Sequence, residues 1–492
     1  MNIPYSHLFR HSAALLCLAL AMVSTSCDDF LDVRPKAEKL ERDLFATAQG
    51  YEDAIYGVYG ELYNISLYGM NLTWGINELL AQNLYCRSTA AEALSKYDFT
   101  ENSDVRSMYA STWSKAYETI GHANNVLNNL QGQSPQTLPL YNYYKGEMLA
   151  VRALLHFELV RMFCPTDTAA SGIPYVRDYA PKVTPFGTVG ATYRSIIADL
   201  NEAAALLEPQ RAIVTYPRQN KNYDRFLNYA ETHLNIYAVE GILARVYWML
   251  GDNTNAARYA QSVIAGGAFP LVAEYEVRDH LAGILSPKET LFGLYSKDYA
   301  ATAKSYLYEY RSFHSYNPYY NAATAGSGYL EPYTAVFAKN IEGIEQDRRL
   351  EHFVQNNSYA TLLKNVDYYT IEGNPRAGDA DLIKGISVLH VAELYLIAAD
   401  ALLDTDPDRA LTLFDAAIQS RGLMSYRQQG KTLTHDIIFD EYRKETFGQG
   451  QTWYAMKRQS RDVTSNFENR IVPGSNAIYV VPIPTDENEY RN

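Results

Sequence analysis

The sequence predicts a mainly all-α protein: a tetratricopeptide-like helical-repeat scaffold with an inserted loop-rich region carrying short strands. Three observations predict it. In residues 387–403, Val388, Val391, Ala392, Tyr395, Ala398, Ala399 and Leu402 recur at i, i+3, i+4, i+7, i+10, i+11 and i+14, one face of an α-helix. A second helix follows, with Asp406 placed to cap it, Pro407 at its first position and Gly422 placed to end it in the left-handed conformation. This hairpin has a relative upstream: residues 244–252 and 256–264 align without a gap on 398–418, setting Ala256 on Ala410 and Ile264 on Ile418. Recurrent helical hairpins with alanines at the crossing points mark a stack in which no hairpin buries its apolar face alone. The third observation is compositional. Residues 295–333 hold ten of the 42 tyrosines, against roughly three if tyrosine were evenly spread, and they include the turn formers Asn317-Pro318 and Gly326-Ser-Gly328. That stretch reads as long loops with short elements, among them a strand in which Tyr306, Tyr308 and Tyr310 alternate.

The chain has 492 residues and a formal net charge of −13. Its acidity argues against a nucleic-acid partner, because a phosphate binder needs a basic face. Residues 1–26 read as a lipoprotein signal peptide: Arg10 and His11 precede the apolar run 13–23, which is short for a membrane span and suited to a secretory signal. Small residues then lead to Cys27, the expected lipidation site, although Ser24 stands where such signals usually carry Leu. Beyond the signal only Cys86 and Cys164 remain, too few for a disulfide framework, and their pairing is left open.

From Cys27 onward the chain resembles a known family. Cys27-Asp-Asp-Phe-Leu-Asp-Val-Arg-Pro35 and residues 44–59, then Trp113–Leu127, Gly146–Phe163 and the loop to Gly172-Ile-Pro-Tyr-Val176, are similar to successive segments of the SusD/RagB family. The closing signature, residues 441–458 and 478–487, is the most specific match. Gln449, Thr452 and Ala455 depart from the charged residues usual there; because both members of an ion pair become neutral together, no buried charge is left uncompensated. The stripe Ala54, Val58, Leu62 predicts a first helix over residues 50–63. On the helix containing 146–163, Arg152 shares an apolar stripe and needs a partner, for which Glu147 or Glu158 are the local candidates. The expected organisation past the signal is one SusD-like domain over 27–492. Its helical scaffold occupies about 40–268 and 387–460, and a loop-rich insert about 269–386 faces the ligand.

The resemblance implies an outer-membrane lipoprotein, lipid-anchored and facing the cell exterior, with Asp28 and Asp29 matching the family's acidic surface-display positions. It implies capture of an oligo- or polysaccharide and delivery to a SusC-like TonB-dependent transporter. Tyrosine offers a flat apolar face with a polar tip, complementary to the C–H face and polar rim of a pyranose. The candidate ligand-binding residues are therefore Tyr299, Tyr306, Tyr316, Tyr319, Tyr320 and Tyr329, with Tyr68, Trp74 and Tyr85 from the stretch after the first helix. No cofactor, metal or catalytic residue is expected. Residues 404–408 begin like a calcium loop, but Arg409 stands where that loop has Gly, so they read as a helix-capping turn. Two alternatives remain: a helical-repeat lipoprotein binding peptide or protein only, and an all-helical glycosidase, for which Glu309 is the acid to check.

Overall fold

The computed structural model of the chain describes residues 41–84, 88–180, 182–277, 285–296, 303, 305, 333–340, 347–356, 359–362, 364, 383–465 and 470–489. The chain divides after Tyr51 into two compact units. In the first, the rings of Phe45 and Tyr51 meet at 5.0 Å between centroids. The second, from Glu52 onward, carries the helical core. Helix α1 spans Ala48–Leu62; past residue 52 its buried stripe is Ile55, Val58, Tyr59 and Leu62, with the expected Ala54 half-buried.

The scaffold is a serial stack. Helices α2 (Ser103–Asn129), α3 (Tyr141–Phe163), α4 (Val189–Leu207), α5 (Ile236–Leu250) and α6 (Asn253–Gly266) each pack on the next. Helices α7 (Val391–Leu402) and α8 (Pro407–Gln419) continue the series, α6 lying directly against α7 although residues 267–390 separate them in sequence. That nearest-neighbour arrangement is the repeat architecture expected from the two hairpins. Every residue of α3 from Gly146 to Phe163 is buried, so this helix is covered on all sides.

The turns are those the sequence specifies. Asp406 accepts the Arg409 N–H at 3.1 Å with Pro407 at the first helical position. Gly422 has φ +85° just past α8, and Leu423 N–H returns to Ile418 O at 3.1 Å. In the sister hairpin Gly251 (φ +77°) ends α5 and Asp252 caps α6.

Two expectations are corrected. Helix was expected from residue 387, yet Gly385–His390 form strand β2, paired antiparallel with β1 (Thr290–Tyr295), and α7 starts only at Val391. Isolated residues 387–390 satisfy a helical period, but the edge offered by β1 satisfies their backbone groups and buries Ile386, Val388 and Leu389, and tertiary pairing overrides local pattern. Arg152 is paired across helices rather than along its own: its Nε and Nη2 donate to the Asp199 carboxylate of α4 at 2.7 and 3.0 Å, and Nη1 donates to Asn124 of α2 at 3.0 Å. Glu158 is already committed to Arg161 at 2.6 Å, and Glu147 to Tyr59 and His233.

The closing signature folds as α9 (His435–Glu445) and α10 (Thr452–Arg458). Its neutral substitutions have neutral partners: Gln449 Oε1 lies 2.8 Å from His390 Nε2, Thr452 Oγ1 accepts from Asn83 Nδ2 at 3.2 Å, and Ala455 is buried.

Candidate functional site

Between α4 and α5 the chain runs through a segment rich in asparagine and tyrosine, Asn220-Lys-Asn-Tyr-Asp-Arg-Phe-Leu-Asn-Tyr229. Phe226 pegs it to the core, 2 % exposed, its ring 5.0 Å from Tyr144 and 4.7 Å from His233. Asp224 accepts the Phe226 N–H at 3.1 Å and starts a single 3₁₀ turn. Asn235 does two jobs. Its Oδ1 caps α5 by accepting from Tyr237 and Ala238, while its Nδ2 donates to Ala230 O and to Leu291 O of β1, each at 2.8 Å. The loop is thus held to the sheet as firmly as to its own helix.

A cavity of about 830 Å³ opens beside this loop, within the roughly 300–1,000 Å³ typical of small-ligand sites. Helix α1 supplies Tyr56, Tyr59 and Gly60, the loop supplies Asn220, Arg225, Asn228, Tyr229, Thr232 and His233, and the end of β1 supplies Leu294 and Tyr295. Tyr56, Tyr229 and Tyr295 are 44 %, 48 % and 54 % exposed. Half-exposed rings beside amide and hydroxyl groups make a wall that is apolar in patches and rich in hydrogen-bonding groups.

Beneath the wall lies a buried polar triad. Tyr59 donates its hydroxyl proton to Glu147 Oε2 at 2.5 Å and accepts the Leu234 N–H at 3.0 Å. His233 Nδ1 lies 3.0 Å from the same carboxylate oxygen; a carboxylate only accepts, so Nδ1 carries the proton and the ring orientation is set. Burial, reinforced by the Glu147 charge, holds the Tyr59 phenol well above its ordinary range, and the same two causes push up Tyr56. Both hydroxyls remain protonated donors at any physiological pH.

The predicted site residues fall into two groups. Tyr68 and Trp74 are core residues, 1 % and 0 % exposed; Tyr68 donates to Glu158 at 3.1 Å inside the Arg161 cluster, so neither ring presents a face to a ligand. The physical reason is that residues 63–75 wind into tight turns closed by backbone hydrogen bonds ahead of the short helix Ile76–Leu80, and these turns drive Tyr68, Leu72 and Trp74 inward. Tyr85, Tyr299, Tyr306, Tyr316, Tyr319, Tyr320, Tyr329, Glu309, the lipidation site Cys27 and Cys86 lie outside the described residues. Tyr229 and Asn220 were missed. Their signal was the composition used for the insert, tyrosine among turn formers, in a shorter stretch.

Among the described residues the cavity wall carries no carboxylate, so they assemble no pair of acids there of the kind glycoside hydrolysis uses. Elsewhere among the described residues, two clusters each bring acids and a histidine within reach of one another. Glu289, His390 and Glu445 are buried, but Arg421 already bonds both carboxylates. Glu61, Glu118 and His122 are partly exposed and share Lys115 at 3.6 and 3.1 Å. In both, the negative charge that would hold a cation is met by a side chain.

Known proteins resemble the first part of the chain in sequence and most of it in fold. The model of a SusD-like family described as starch-binding and associating with the outer membrane matches residues 29–223. A SusD-like protein of Formosa agariphila is 27% identical over 147 residues, a stretch covering 28% of this chain and 27% of that relative. A SusD superfamily structure from Bacteroides thetaiotaomicron superimposes over 90% of this chain and 98% of its own, with TM-score 0.68 and 21% identity. A laminarin-binding SusD-like protein superimposes over 90% and 96%, with TM-score 0.62 and 19% identity. Residues 29–223 are thus similar to the SusD-like family, and the chain shares its helical fold with SusD superfamily structures over about nine-tenths of its length.

Proposed function

We propose that this protein captures an oligo- or polysaccharide at the cell surface and hands it to a SusC-like TonB-dependent transporter, acting as a binding protein without turnover. The observation that carries the reading is the cavity beside the 220–233 loop, where Tyr56, Tyr229 and Tyr295 present half-exposed rings next to Asn220, Asn228 and Thr232. Stacking on the rings and hydrogen bonds from the amides match the two chemical faces of a sugar. The family's description as starch-binding and the laminarin-binding relative support a glycan over a peptide. Attachment through a lipidated Cys27 is part of the proposal; among the described residues no helix is long and apolar enough to cross a membrane. Holding a glycan above a channel raises its local concentration at the channel's own site, so capture aids uptake without chemistry.

The test is retardation of the protein lacking residues 1–27 in native gels containing starch, laminarin or xyloglucan, compared with Tyr229→Ala and Tyr56→Ala. Each substitution removes an aromatic anchor, and a loss of affinity of about fivefold or more is expected for each. Unchanged mobility of the parent protein in all three gels would count against glycan capture. Delivery is tested separately, by recovery of a TonB-dependent barrel with the full-length protein from outer membranes. Recovery of the lipoprotein alone, under conditions that keep barrel complexes intact, would remove the transporter from the scheme.

A further inference from the structure

We propose that Asn220 is the positioning residue of this cavity: its Oδ1 accepts the Tyr229 N–H and holds Tyr229 in the left-handed backbone conformation that sets the ring as the stacking face for a sugar. The inference rests on the glycan reading above and deepens it. Tyr229 has φ +56° and ψ +52°, a region that bulky L-residues seldom enter because Cβ crowds the following carbonyl. Conformation alone would favour Gly there. An aromatic residue kept at such a position, 48 % exposed and lining a cavity, is one whose ring has a use.

The surroundings show what holds it. On the N-terminal side, Asn220 Oδ1 receives the Tyr229 N–H at 2.9 Å. On the C-terminal side, the Thr232 N–H and Oγ1–H both donate to Tyr229 O, each at 2.8 Å. Asn220 itself is kept in reach by a second latch: Asn222 N–H donates to Asn228 Oδ1 at 3.0 Å and Asn228 Nδ2 returns to Asn222 O at 3.3 Å, closing the loop on itself. Beyond Tyr229, Glu231 is pinned by Arg218 at 3.3 Å. The left-handed residue therefore sits between fixed points, and Asn220 is the side chain that bonds its amide. Without that acceptor the backbone can relax to negative φ, and a change in φ swings the Cα–Cβ bond and carries the ring off the cavity wall.

Asn220 also lines the cavity, so the experiment must separate positioning from direct contact with sugar. A double-mutant cycle does this, with affinities for starch, laminarin and xyloglucan measured by calorimetry on the protein lacking residues 1–27. For a glycan that binds, Tyr229→Ala is expected to weaken affinity about tenfold and Asn220→Ala about three- to tenfold. The double variant should be no weaker than Tyr229→Ala alone, because a residue that acts through the ring has nothing to position once the ring is gone. Asn220→Asp keeps the acceptor and should bind these neutral glycans within about twofold of the parent. Should Asn220→Ala fail to fold, Asn220→Ser, whose shorter side chain cannot reach the amide, replaces it in the cycle.

Losses that add in the double variant, or Asn220→Ala binding like the parent while Tyr229→Ala is weakened, would overturn the positioning role and leave the glycan reading standing. Parent protein that binds none of the three glycans overturns the glycan reading itself, and the positioning role with it.

Discussion

Arg421→Met is expected to lower the stability of this protein by about 3–5 kcal/mol, the usual consequence of removing one partner from a buried charge cluster, read as a lower urea midpoint with an unchanged slope. Arg421 is 1 % exposed and bridges two carboxylates from distant parts of the chain. Its Nη1 and Nη2 donate to Glu289 at 2.9 and 2.8 Å, and its Nε and Nη2 donate to Glu445 at 3.0 and 2.7 Å. Glu289 leads into β1 and Glu445 ends α9, so one guanidinium ties the end of the α7–α8 hairpin to the sheet and to the closing signature. Arg349 extends the cluster, donating to Glu445 at 3.2 Å and pairing with Glu441 at 2.5 Å. Methionine fills similar space, so the loss reports uncompensated charge rather than a cavity.

The pH dependence gives a second readout. Burial pushes the Glu445 carboxyl up, but the charge and hydrogen bonds of Arg421, with Arg349 beside it, outweigh burial and hold it well below the usual carboxylate range. A folded-state pKa depressed in this way contributes stability that is present above the unfolded value of about 4.3 and is lost as pH falls towards the folded one. In Arg421→Met the desolvation remains and the main counter-charge is gone. The variant is therefore expected to recover part of its deficit relative to the parent as pH is lowered from 7 towards 5. A deficit that is constant over that range would show that packing, and not charge, is what Arg421 supplies.

Gly450→Ala is the second large effect, with an expected loss of about 3–5 kcal/mol from a left-handed backbone and a clash with main chain together. Gly450 has φ +73°, and a Cβ there would lie 2.1 Å from the Leu72 carbonyl oxygen. A side chain could rotate away; a backbone oxygen cannot without moving its segment. The same approach supports two hydrogen bonds that would go with it, Gly450 N–H to Glu78 Oε1 at 2.8 Å and Asn77 Nδ2 to Gly450 O at 3.2 Å. Gly121→Ala is the control. Gly121 lies within α2, where a Cβ meets nothing within 4 Å, and the change should stabilise by about 0.5–1 kcal/mol through helix propensity. Thermal or urea midpoints of the two variants should move in opposite directions; equal shifts would refute the assignment of the Gly450 effect to its contact with Leu72.

The sequence by itself determined the helical scaffold, because its evidence is local. Apolar spacing, Asp406-Pro407, Gly422 and the gapless match between two hairpins are statements about neighbours along the chain, and α5 to α8 form from them as expected. The resemblance to a SusD-like family over residues 29–223 was legible for the same reason, its motifs being contiguous. Where evidence was not local, only the tertiary structure decided. Residues 387–390 satisfy a helical period and become a strand because β1 lies alongside. Arg152 finds its counter-charge on α4, which no spacing along α3 can specify. Tyr68 and Trp74 look like ligand-facing aromatics by composition, yet a ring's use depends on which way the folded backbone aims it, and here both point into the core. The cavity is the clearest case. Tyr56 and Tyr59 come from α1, Tyr229 from a loop and Tyr295 from the end of β1, and residues so far apart in sequence carry no shared pattern until packing brings them to one wall.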